Sequence, residues 1–227
     1  MRINSRYIIS VLGLSISLLA LISCNSTRTT QNSGKLNVVL IVVDTLPAKQ
    51  LGIYNSTLDN SPTIDGLAKD GATFTMARSV SSWTKPSIAS LFTSKPPSEH
   101  FVNSIKDKLP EREDTLAELF KAKGYKTAGF VSHTIIGPRS GYQQGFDEYK
   151  QLNTHKNTHA AITSPEVIDN GNQWLNSVND DRFFLFLHLF DPHFRYLDHE
   201  GYTQADDYKG DLKPKMSLNA LMRRKSD

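Results

Sequence analysis

Leu36–Val43 reads LNVVLIVV and runs into Asp44. A stretch this apolar on both alternating faces predicts a central strand of a parallel sheet, covered on either side. The rest of the body follows an alternating pattern. Ser61-Pro62 predicts a helix start with Ser as N-cap and Pro first, a buried stripe of Ile64, Leu67 and Ala68, and a stop at Gly71. Ala72–Ala77 predicts a second strand and Pro86–Thr93 a short helix. Asp114 predicts the cap of another helix, with Leu116, Leu119 and Phe120 inward and Gly124 at its end. Lys126–Ser132 reads as a third strand, and Gly137–Gly145 as a loop. Ser164-Pro165 opens a helix striped by Val167, Ile168, Trp174, Leu175 and Val178. Phe183–Leu189 is a strand again. The expected class is α/β, a mainly parallel sheet sandwiched by helices.

Composition narrows the function classes. At 227 residues, with 38% hydrophobic and 22% charged, the chain is neither disordered nor polytopic. One cysteine excludes an internal disulfide framework and a zinc site built on several cysteines. The net charge of +3 is carried by the two ends. Arg2 and Arg6 have no acid near them, and the last twenty residues hold Lys209, Lys213, Lys215, Arg223, Arg224 and Lys225. The body between is slightly acidic, which disfavours a nucleic-acid partner. No P-loop or dinucleotide-binding glycine pattern is present.

The amino terminus reads as an address. Arg2 and Arg6 precede the apolar stretch Tyr7–Ile22, short for a membrane span and suited to a signal-peptide core. It ends Leu21-Ile22-Ser23-Cys24, which resembles the lipobox of bacterial lipoproteins. That resemblance implies cleavage before Cys24 and a lipid on its sulfur, in place of an ordinary secretory signal or an uncleaved anchor. Residues 1–23 are then the signal, 24–35 a polar tether, and 36–227 the domain. The expected location is the bacterial envelope, lipid-anchored and periplasm-facing or at the outer membrane.

Ligands of open α/β sheets gather beyond the carboxyl ends of strands. Asp44 ends the first strand and is either a metal ligand or a turn cap. Thr84, in Trp83-Thr84-Lys85-Pro86-Ser87, precedes a helix whose free N–H groups favour an anion. It is either an activated hydroxyl or an ordinary N-cap. His193, in His188-Leu189-Phe190-Asp191-Pro192-His193, is a proton donor to a leaving oxygen or a surface histidine. His188 itself reads as a satisfied core histidine.

Together these stretches resemble the amino-terminal part of the sulfatase family, within the alkaline phosphatase superfamily. The matching blocks are Asn37–Gly52, Ser61–Gly71, Trp83–Thr93, Lys126–Tyr149 and Phe183–His193, in the family's order. The resemblance implies metal-dependent hydrolysis of sulfuric or phosphoric esters. It gives Asp44 the place of the first-strand metal ligand, Thr84 that of the nucleophile and second metal contact, and His193 that of the substrate-contacting histidine. The family's nucleophile motif is C/S-x-P-x-R, and here Ile88 stands in place of the arginine, leaving Lys85 as the substitute cation. Oxidation of threonine gives a ketone, so Thr84 does not suit the formylglycine chemistry of cysteine- or serine-type sulfatases. Threonine is the nucleophile in relatives such as nucleotide pyrophosphatases/phosphodiesterases, phosphoethanolamine transferases and lipoteichoic acid synthases. Phosphoester hydrolysis or transfer is therefore favoured.

The implied cofactor is a divalent metal ion, calcium or zinc. Its remaining ligands are expected in a motif like S-D-H-G-E, and Leu197-Asp198-His199-Glu200-Gly201 matches it poorly. The domain is accordingly expected to be incomplete, ending in a basic helix within Lys213–Asp227 and not competent for turnover on its own. The alternative expectation is an inactive sulfatase-like lipoprotein that serves as a binding or interaction module. The implied partners are an ester substrate and a membrane, through the lipid.

Overall fold

A computed structural model of the protein describes residues 36–152 and 163–193. The signal, Cys24, the tether, the Asp198-His199 segment and the basic tail lie outside the described residues. Four strands form one parallel sheet: β1 (Val38–Val43), β2 (Lys126–Val131), β3 (Glu148–Gln151) and β4 (Phe183–Leu189). Their spatial order is β1-β4-β2-β3. The helices are α1 (Pro62–Asp70), α2 (Thr84–Thr93), α3 (Pro97–His100), α4 (Leu116–Ala122) and α5 (Ser164–Ser177). Among the described residues no helix is long and apolar enough to cross a membrane.

Strand β4 is covered on both faces. Phe184 and Phe186 point into a core shared with Ile88, Ala89 and Phe92 of α2, and with Ala117 of α4. Leu185 and Leu187 point the other way, onto Val167 and Trp174 of α5. The two-residue period of a strand sorts FFLFLHL into these two cores. Each fully buried side chain of this size contributes about 1.5–3 kcal/mol. Gly171 lets α5 approach the sheet, because a Cβ there would stand 3.1 Å from Leu187 Cδ2.

Several expectations are corrected. Among the described residues the interior positions fall to β4 and β2, and β1 is at the sheet edge. Val38, Leu40 and Val42 pack inward, whereas Val39 and Ile41 are 48% and 52% exposed. Ala72–Ala77 is not a strand. There the Phe74 carbonyl accepts the Tyr54 hydroxyl at 3.1 Å, and the Phe74 side chain is 73% exposed. The stripe on α1 is not buried either, with Leu67 71% exposed beside an open apolar cleft.

Helix α2 begins at Thr84 rather than Pro86, so the proline sits in its third position. Helix α4 is capped by Thr115 rather than Asp114. The Thr115 side chain accepts from Glu118 N while Glu118 Oε2 accepts from Thr115 N at 2.8 Å, a reciprocal capping box. Leu119, expected inward, is exposed, while Leu116 and Phe120 pack against the core. Strand β3, EYKQ, was not anticipated; it pairs with β2 at the opposite edge.

Candidate active site

The site is assembled at the carboxyl ends of β1 and β4. Register aligns Val42 with His188 and Val43 with Leu189, and the Asp44 N–H donates to the Leu189 carbonyl at 2.9 Å. Asp44 therefore leaves the sheet beside the loop that carries His193. Thr45 follows with φ 57, a left-handed conformation uncommon for a β-branched residue.

Trp83 is extended, φ −147 and ψ 162, and makes no side-chain cap on α2. The core then holds the helix from behind. Tyr142, fully buried, donates its hydroxyl to the Lys85 carbonyl, and His100 pairs with Ser90 at 2.9 Å. Uncapped first-turn N–H groups and the helix dipole make this end a favourable place for an anion.

Thr84 Oγ1 donates to Asp44 Oδ2 at 2.8 Å. The same carboxylate oxygen lies 3.2 Å from His188 Nε2. Burial pushes the Asp44 carboxyl up, but the hydrogen bonds from His188 and Thr84 and the nearby His188 and His193 charges outweigh it. Its pKa lies below the ordinary 3.8, so it is an anion at neutral pH. Asp44, Thr45, Trp83, Thr84, Ser87 and His193 share a cleft of about 390 Å³. His193 is placed by its backbone N–H, which donates to the Phe190 carbonyl at 3.0 Å, and by its ring, stacked on Phe190 at 4.2 Å. Asp191 tethers the same loop to α5, accepting from Thr163 N at 2.9 Å and Ser164 N at 3.2 Å.

Asp44, Thr84 and His193 thus meet, as expected from their positions at strand and helix ends. Lys85 does not join them. Successive helix residues point about 100° apart, and the Lys85 ammonium is buried and donates to the Ile105 carbonyl at 2.7 Å. Burial lowers its pKa, opposed by the charge of Asp107. Lys85 therefore does not replace the arginine at the cleft, where Ile88 contributes an apolar wall. His188 is the residue that sequence reasoning missed: it is a core histidine, but its ring reaches Asp44. The signal was its parity, since His188 and Asp44 lie on one sheet face once β1 and β4 are paired.

The donor set fits the first part of a divalent-cation shell. Asp44 and Thr84 offer adjacent hard oxygens, and Asp44 Oδ1 has no hydrogen-bond partner among the described residues. No group of three or more His, Cys, Asp or Glu side chains able to hold a metal occurs among the described residues.

An ulvan-active sulfatase of Formosa agariphila is 32% identical over 185 residues, covering 70% of this chain and 36% of that protein. A protein solved with its substrate D-glucosamine-2-N,6-O-disulfate superposes with a TM-score of 0.63 at 19% identity, over 71% of this chain and 35% of the other. The phosphonate monoester hydrolase of Agrobacterium radiobacter superposes at 0.58 and 20% identity, over 70% and 41%. The chain spans about a third of the length of the first two. The parallel α/β fold is shared with a solved protein of the alkaline phosphatase superfamily from Vibrio parahaemolyticus, with a TM-score of 0.58 at 20% identity over 76% of this chain and 44% of the other. The Sulfatase family model matches residues 36–220, so the chain belongs to the sulfatase family.

Proposed function

We propose that this chain carries the nucleophile half of an ester-cleaving site, acting on sulfuric or phosphoric esters with Thr84 as nucleophile. The observation that carries the reading is the 2.8 Å bond from the Thr84 hydroxyl to Asp44 at the start of α2. Asp44 holds the hydroxyl in place and, with its carboxyl held against burial below the ordinary carboxylate range by the His188 and Thr84 hydrogen bonds, is a poor base for its proton. A divalent cation held by Asp44 and Thr84 would lower the hydroxyl pKa and offset the charge of the ester. The amino end of α2 favours the same anionic group. With its proton given up to water, the Thr84 oxygen would attack in line, its new bond to phosphorus or sulfur forming as the bond to the ester oxygen breaks; the leaving oxygen takes a proton from His193, and water or an acceptor hydroxyl then cleaves the Thr84 ester, returning a proton to His193 and leaving Thr84 free.

Two observations bear on the ester. The ulvan-active relative is a sulfatase. Thr84 stands where a cysteine or serine would be oxidised to an aldehyde, and the chain's one cysteine is Cys24. An unmodified alcohol nucleophile suits phosphoester hydrolysis or transfer, which is the favoured chemistry. The Leu21–Cys24 lipobox supports attachment through Cys24, with the domain at the bacterial envelope surface.

Turnover of p-nitrophenyl phosphate and p-nitrophenyl sulfate by a version of the protein that spans the family's full length, with and without Thr84→Ala, tests the reading. Thr84→Ala should abolish turnover of the preferred ester while the fold is retained. Unchanged turnover would remove Thr84 from the mechanism.

A further inference from the structure

His188 has no place in the reaction as described, yet it touches the carboxylate at its centre. Its side chain is 0% exposed. β4 presents Phe184, Phe186 and His188 to one face, and the register with β1 sets His188 against Val42, two residues before Asp44. Residues two apart share a face, so His188 and Asp44 are diagonal neighbours across the two strands. The main chain around His188 is pinned, since its carbonyl accepts from Ser132 Oγ at 2.8 Å. The Phe190 ring lies 6.1 Å from the imidazole.

An ionised carboxylate accepts hydrogen bonds and donates none, so Nε2 is the nitrogen that carries the proton towards Asp44. Oδ2 then receives two donors, His188 Nε2 and Thr84 Oγ1. Oδ1 receives none among the described residues. A carboxylate held by one oxygen from two directions cannot rotate freely about its Cβ–Cγ bond.

We infer that His188 is a positioning residue for the site: its Nε2–H fixes Oδ2 of Asp44 in the core and so turns Oδ1 to the cleft as a single, preset oxygen ligand. Its destination rests on the reading that Asp44 and Thr84 hold a divalent cation, whereas the hydrogen bond itself does not. Partners of this kind orient metal ligands, and their loss costs about 10–100-fold in metal affinity.

Two measurements on the whole chain separate the positioning from the cation. In metal-free protein, imidazole ¹H–¹⁵N spectra should show a His188 Nε2–H protected from solvent exchange, and its signal should shift in Asp44→Asn. An unprotected signal, or one indifferent to Asp44→Asn, overturns the inference. Calorimetric titration with Mn²⁺ then compares the wild type with His188→Leu and His188→Gln, each checked by thermal melting. His188→Leu should weaken binding about tenfold or more, and His188→Gln, whose amide N–H can reach the same place, should stay within about threefold. Wild-type affinity in a folded His188→Leu overturns the inference. Should the leucine variant fail to fold, His188→Asn replaces it: its shorter amide cannot reach Asp44, so affinity equal to that of His188→Gln overturns the inference. A wild type that takes up no Mn²⁺ defeats the cation reading alone, and the spectra then decide whether His188 orients Asp44.

Discussion

Thr84 and Asp44 are forty residues apart in sequence and joined by a 2.8 Å hydrogen bond from hydroxyl to carboxylate. The bond ties the first residue of α2 to the residue that follows β1. It sets the Thr84 oxygen at the amino end of a helix whose other side is packed into the core through Ile88, Ala89 and Phe92. The in-line attack proposed above would benefit from a rigid helix behind the hydroxyl, because a small displacement of the oxygen is costly in rate.

Thr84 variants separate this role from a structural one. Thr84→Val keeps the shape and removes the oxygen, and turnover should fall by about a thousandfold or more. Thr84→Ser keeps the oxygen and should retain measurable turnover. Chemical denaturation should show a loss of about 1.5–3 kcal/mol in the valine variant, the worth of a hydrogen bond to a charged group.

Asp191 is expected to act through placement. It accepts the Thr163 and Ser164 N–H groups and so caps α5 from the end of β4. Asp191→Ala should cost about 1 kcal/mol, the worth of a helix cap, and loosen the loop that carries His193. Asp191→Asn keeps an acceptor oxygen and should cost less. Melting temperatures and turnover of both variants check this, and equal losses would contradict the capping role.

Gly145 tests the packing of α4. It has φ +81, and a Cβ there would stand 2.2 Å from the Glu118 backbone nitrogen. Both the left-handed backbone and the contact oppose a side chain, so Gly145→Ala should destabilise by about 1–3 kcal/mol. Urea denaturation measures it.

Stability should fall on the acid side of neutrality. Burial lowers the pKa of His100, against a raising influence from Glu113, because the ring is enclosed beside Ser90. A depressed histidine contributes stability above its unfolded value of 6.5, lost as pH falls from there towards the folded value. Asp44, also depressed, contributes above 3.8 and is lost below that. Denaturation from pH 8 to 5.5 should show a decline of at most about 1.4 kcal/mol per pH unit from His100, flattened in His100→Gln. A flat wild-type profile would contradict it.

That Asp44, Thr84 and His193 share one cleft was legible because Asp44 and His193 follow apolar runs and Thr84 stands where a helix begins, and such ends collect on one side of a parallel sheet. Lys85 was misread because adjacency in sequence says nothing about facing until the helix phase is known, and the helix begins at Thr84 rather than Pro86. His188 was hidden for the opposite reason. Inside an apolar strand it looks like core, and only the pairing of β1 with β4 brings it to Asp44. The apolar pattern of Leu36–Val43 does not distinguish a covered face from one that is open, and the short polar β3 has no pattern of its own.

The most direct test is the bond that Thr84 is expected to form. A version of the protein that spans the family's full length is mixed with p-nitrophenyl phosphate, quenched in acid during turnover, digested, and mapped by accurate-mass spectrometry. The account requires a phosphoryl adduct on Thr84, absent from Thr84→Val. Turnover with no adduct on Thr84, and undiminished in Thr84→Val, would contradict it.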